Sequence, residues 1–183
     1  MIREALKYKL KIDAAFNEQE PLKGVFIAVI HATRIPPHIG IIADEKYHSL
    51  SIKGQDINTP VKAIIKNSTL RKIPTLLIKL RSHPVFSDVY LSEHFITNVQ
   101  QFNRVDIGIA TCLSPLKLFF EEVYGIPMNE INYLYELLPL LESKGIIETI
   151  YSLNVNQKEY RLPIYTNKEI DTGIEQVRSE FNS

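Results

Sequence analysis

"PPHIGIIADEKYHSLSIKG", residues 36–54, decides how the rest of the chain is read. Ile39, Ile41 and Ile42 form a short, β-branched apolar run, which predicts a strand over 38–43. "DEK" reads as a turn, and the stretch from Tyr47 to Ile52 alternates as a second strand does, with Gly54 expected to end the hairpin. The hairpin opens on His38, where an apolar side chain would bury at lower cost. Two readings account for that histidine: a strand-end imidazole satisfied by a neighbour, or a base held rigid by the ladder.

Upstream, "GVFIAVIH" (24–31) is a further buried strand, set apart by "TRIPP", whose two prolines supply no ladder donors. Downstream, "TPVKAIIKNS" (59–68) predicts one or two helical turns and "IPTLLIKLR" (73–81) a fourth strand. Ser87 is placed to cap a helix "DVYLSEHFITNVQQF", in which Val89, Phe95, Ile96, Val99 and Phe102 fall near helical spacing. "LSPLKLFFEEVYG" (113–125) is the next helix, with Pro115 in its first turn and Gly125 as its stop. "NEINYLYELLPLLESKG" (129–145) continues helical, Pro139 marking a kink or a break. "IIETIYSLNVNQKEYRLPIY" (146–165) reads as a hairpin around Asn154 to Gln157, followed by a polar, amphipathic helix from Asn167. The expected fold is α+β: a small antiparallel sheet packed against helices, one domain over 1–183. Its core would span 22–140, with 141–183 a C-terminal hairpin and helix extension.

Composition narrows the function. Lys plus Arg equals Asp plus Glu at 21 each, so net charge points to neither nucleic acid nor membrane. Seven cations between Lys53 and Arg81 face one anion, Asp56, and six glutamates between Lys117 and Glu148 face two lysines; two solvated faces account for this. The N-terminal "MIREALKYKLKIDAAF" lacks the apolar core of a signal peptide, and no run approaches the ~20 apolar residues of a membrane span. A cytoplasmic location is expected, with no cofactor and no metal.

The lone cysteine, Cys112, excludes an intramolecular disulfide and a CxxC zinc site. It stands just before the helix marked by Pro115, where unpaired N–H groups and the helix dipole favour a thiolate. Beside Ile109, Ala110 and Leu113 it also suits a core position. His31, His83 and His94 read as packing or surface residues, and His38 is the better-placed base because a strand holds its imidazole rigidly.

The order of these pieces resembles the circularly permuted papain-like thiol hydrolases, relatives of the NlpC-type cell-wall peptidases and of the lecithin retinol acyltransferase group. "PPHIGIIADEKYHSLSIKG" looks like their histidine hairpin and "ATCLSPLKLFFEEVYGIP" like their cysteine helix, over about residues 22 to 140. Leu113 departs from the serine usual after the cysteine, and the aromatic residues common before it are absent. The resemblance implies a thiol hydrolase or acyltransferase in which Cys112 attacks an amide, ester or thioester and His38 carries the proton. It also implies a third polar group, on the following strand, to orient the imidazole. A two-residue Asp44-Glu45 turn sets Ser51 opposite His38 with Ser49 on the same face; a three-residue turn brings His48 there instead. The absence of an Asn-Gly signal favours His48, with Gln55 and Asp56 as further candidates. The substrate would be a small molecule, lipid or peptide, anionic if the cations around Arg71 to Arg81 face the site.

Two other classes fit parts of the chain. A papain-like scaffold without catalysis would serve as a binding or structural protein. The C-terminal third has the cadence of a winged-helix module, but its helix carries Glu136 and Glu142 against Lys144 alone, which repels DNA.

Overall fold

The computed structural model describes residues 8–155 and 159–181; the first seven residues of the N-terminal reading and part of the 154–157 turn lie outside them. In chain order the elements are β1 (Lys9–Lys11), β2 (Ala14–Ala15), β3 (Phe26–Ile30), β4 (His38–Ala43), β5 (Lys46–Ser51), β6 (Gly54–Pro60), α1 (Val61–Leu70), β7 (Thr75–Leu80), α2 (Asp88–Gln100), α3 (Ser114–Tyr124), α4 (Leu134–Ser143), β8 (Ile147–Leu153), β9 (Glu159–Arg161) and α5 (Asn167–Phe181).

The apolar runs of β3, β4 and β7 bury both faces, as strands covered on two sides must. They sit inside a seven-stranded sheet of order β2-β8-β7-β3-β4-β5-β6, antiparallel except for the β2–β8 pair. Ile27, Val29, Ile39, Ile41, Leu76 and Ile78 meet α2, α3 and α4 on one face. Phe26, Ile42, Tyr47 and Leu77 meet Val61 and Ile65 of α1 on the other. The α+β reading holds, but the sheet is larger and more mixed than the small antiparallel one expected.

Local signals act as their chemistry requires. The Ser87 hydroxyl accepts from the Tyr90 N–H at 3.2 Å, and Gly125 closes α3 in the left-handed region at φ 63°. Pro139 stays inside a single helix, α4. Gly54 does not end the sheet: it opens β6, which pairs with β5.

The largest departure is C-terminal. β8 and β9 do not form the expected hairpin: β8 lies between β2 and β7, whereas β9 pairs with β1 in a separate two-stranded sheet. Residues 141 onward are therefore no appendage, since they supply an interior strand of the main sheet. Among the described residues, β8 and β9 do not pair with each other as the two wing strands of a winged-helix module would. Among the described residues, no helix is long and apolar enough to cross a membrane.

Candidate active site

The β4–β5 turn fixes the site. Asp44 and Glu45 take φ of 51° and 57°, and Ala43 pairs with Lys46, so the loop has two residues with the left-handed pair of a type I′ hairpin. Lys46 Nζ reaches back to Asp44 Oδ2 at 3.0 Å. The register then sets Ile42 opposite Tyr47, Ile41 opposite His48, and Gly40 opposite Ser49. Because side chains alternate, His38 shares a face with Gly40, Tyr47 and Ser49, while His48 points through the sheet to the opposite face.

His48 is consequently not the orienting group of His38. It is fully buried against α2, where its Nε2 bonds Ser92 Oγ at 2.8 Å and its Nδ1 accepts the Asn58 N–H at 3.0 Å. An Nδ1 that accepts leaves Nε2 as the donor, so the ring is the neutral Nε2–H tautomer. The β5–β6 ladder shifts register between Tyr47 and Ser49, and His48 takes up a backbone donor at that irregularity. Burial, then the Lys46 charge, pushes its pKa down to about 4.

Ser49, named from sequence only as a face-mate, is the partner of His38: Nε2 lies 3.1 Å from Ser49 Oγ. Ser51 turns instead to the Gly54 carbonyl at 3.2 Å, and the Gln55 amide to the Phe102 carbonyl at 2.7 Å. Asp56 pairs with Ser49 in the β5–β6 register and accepts from the Thr59 hydroxyl. Burial pushes the His38 imidazole down to about 4, with Asp56 opposing and His31 adding to the shift. The glycine of "HIGI" also has a cause. A Cβ at Gly40 would come within 2.5 Å of the Tyr47 ring and 2.6 Å of the His48 carbonyl oxygen.

Cys112 stands one residue before the Leu113 N-cap of α3, in a turn tied by side chains. The Thr111 N–H donates to Ser114 Oγ at 3.0 Å and the Leu113 N–H to Thr111 Oγ1 at 3.2 Å. The sulfur lies against the start of β4, its thiol 3.9 Å from the Pro37 carbonyl oxygen. The Ile39 N–H and the cysteine's own N–H favour its anion, yet burial outweighs them and pushes the thiol up to about 11. The position before the cap explains why the helix end does not reverse that balance.

Cys112 and His38 line one cleft of about 450 Å³. No hydrogen bond joins Sγ to the His38 ring among the described residues; the sulfur instead flanks that histidine through the backbone of Pro37 and Ile39. The remaining wall is mostly apolar, with Arg34 and Lys53 as its cations and Glu180 as its anion. The stretch expected to supply positive charge does not reach it. Arg71 and Lys72 are exposed beyond α1, and Lys79 pairs with Glu148 at 2.9 Å.

Sequence reasoning missed one whole side of this cleft. Gly173, Val177 and Phe181 of α5 form it, and the signal was a glycine inside a helix, which lowers helix stability unless something needs its space. Here Pro36 does: a Cβ on Gly173 would come within 2.8 Å of its Cδ. Among the described residues, no group of three or more His, Cys, Asp or Glu side chains is arranged to hold a metal ion.

No family model, no curated protein and no solved structure matches this chain.

Proposed function

We propose that the protein is a cysteine hydrolase or acyltransferase that forms an acyl-enzyme on Cys112 from an amide, ester or thioester, in the manner of a permuted papain-like enzyme. One observation carries this reading: the only thiol of the chain and a half-buried imidazole line the same cleft, and that imidazole spends Nε2 on Ser49. Nδ1 is then the nitrogen left for the thiol. With the thiol near 11 and the imidazole near 4, both groups rest uncharged at neutral pH, so no ion pair is stored. His38 therefore acts as a general base during attack. The sulfur bonds to the carbonyl carbon as its proton passes to Nδ1, and that proton goes on to the leaving group as the tetrahedral species collapses. Water or another acceptor, deprotonated by the same imidazole, releases the acyl group. The Cys112 N–H supports the oxyanion. Arg34 and Lys53 outnumber Glu180 in the wall, which favours a substrate with an anionic group beside an apolar body.

The test is single-turnover acylation by an activated ester, followed as a mass increase on Cys112. The expected wild-type rate levels off above about pH 5, once the imidazole is neutral. His38→Ala should fall about 100-fold near neutrality and then climb about tenfold per pH unit toward the thiol pKa. The raised thiol pKa favours a second reading, a binding scaffold of the same shape in which Cys112 is packing. Identical pH profiles for wild type and His38→Ala would select that scaffold.

A further inference from the structure

We infer that the last two turns of α5, Glu175–Phe181, are a hinged flap that gates access of large molecules to Cys112. The inference rests on the reading of Cys112 as the working group of the cleft.

The helix divides after Ile174. Its first half is anchored, with Ile170 and Ile174 buried and the Tyr133 hydroxyl donating to Asn167 Oδ1 at 3.0 Å. Within the anchored half Gly173 lies against Pro36, whose neighbour Pro37 faces the sulfur. Beyond Ile174 no side chain up to Phe181 is fully buried. That second half nevertheless supplies Gln176, Val177, Glu180 and Phe181 to the cleft wall.

Contacts across the mouth hold it shut. Arg178 Nη2 meets Asp106 Oδ1 at 2.6 Å, on the segment that leads into Cys112. Lys53 Nζ sits 3.9 Å over the centre of the Phe181 ring, on the turn between β5 and β6. Both lie at the surface, and Phe181 is 52% exposed. Lifting this half-helix breaks no strand pairing and withdraws no fully buried side chain of its own, the pattern of a segment that opens locally while the core stays intact. A small molecule can enter the cleft with the flap in place; a chain-like substrate needs it raised.

The experiment compares Cys112 modification in the full-length protein by N-ethylmaleimide and by a maleimide bearing a long polyethylene glycol chain. In Phe181→Ala and in Arg178→Ala the bulky reagent should gain at least fivefold over wild type, while the small reagent changes less than twofold. Equal rates in all three proteins overturn the flap. So does a parallel rise for both reagents, because that reports general loosening around the sulfur. Repeating the comparison in His38→Ala separates the two proposals: the base can fail there while the size selectivity stands, and the reverse.

Discussion

The β4–β5 hairpin carries two histidines ten residues apart, one on each face, and burial brings both to about 4. His48 has both ring nitrogens bonded and no exposure; His38 has one nitrogen bonded and lines a cleft. The same side chain with the same shifted pKa thus stands in two different settings. A neutral, desolvated imidazole is common to a core network and to a base. An unspent nitrogen with solvent access separates them.

Exchanging which histidine is lost tests that separation. His48→Ala strips the buried Ser92 hydroxyl of its partner and opens a cavity under α2, so it should cost about 2–4 kcal/mol in urea unfolding. His38→Ala should cost under about 1 kcal/mol while removing base-assisted acylation. If the two substitutions destabilise equally, the distinction between a structural and a cleft histidine collapses.

Gly40 lies between the two histidines in sequence and pairs with Ser49, so it probes the hairpin from the middle. An added Cβ meets the Tyr47 ring and the His48 carbonyl, neither of which is a free-swinging end. Gly40→Ala should therefore destabilise by about 1–3 kcal/mol through overpacking. A stability equal to wild type would mean that Tyr47 does not pack there in solution.

These particulars show what the sequence could tell. The strand from His38, the Ser87 cap and the Gly125 stop were legible, because each rests on interactions within a few residues. The register was not, because Asp44 and Glu45 enter the left-handed region without the glycine that normally announces it. Packing of Tyr47 on Gly40 and burial of Ile41 select that register, and both are tertiary. β6 was missed since Gly54 to Pro60 carries little apolar alternation, and the β1–β9 pairing joins residues at opposite ends of the chain. Cys112 and His38 were identifiable as residue types. Their common cleft was not, because a third of its lining residues belong to a polar helix whose sequence looks the same whether it covers a site or only solvent.

pH offers a finer comparison. Both imidazoles have folded values near 4, below the unfolded value of about 6.5, so the unfolded state binds more protons between those limits. Stability is full above about pH 6.5 and is lost as pH falls toward 4, by up to about 1.4 kcal/mol per pH unit for each histidine. His31, lowered by burial and by Arg34, adds in the same direction. Asp106 and Glu122, held below their usual carboxylate values by Arg178 and Asn98 respectively, lose their contribution only in more acid solution. Unfolding measured across pH 4 to 6.5 should flatten by one histidine's worth in His48→Ala. A slope unchanged by that substitution would place the titration elsewhere.

The smallest effect expected is also the most discriminating. Ser49→Ala removes the hydroxyl beside Nε2 and little else, so stability should move by no more than about 1 kcal/mol. A hydroxyl can donate or accept, but next to a base that needs a lone pair on Nδ1 it must accept from Nε2–H. Without it the other tautomer becomes available, and the ring is free to turn away from the thiol. Acylation of Cys112 should fall about threefold to tenfold at neutral pH, with the midpoint of the pH profile displaced from about 4, and Ser49→Thr should restore both. A purely structural role for Ser49 leaves that midpoint where it is, so a loss of stability without a moved profile would return His38 to the same class as His48.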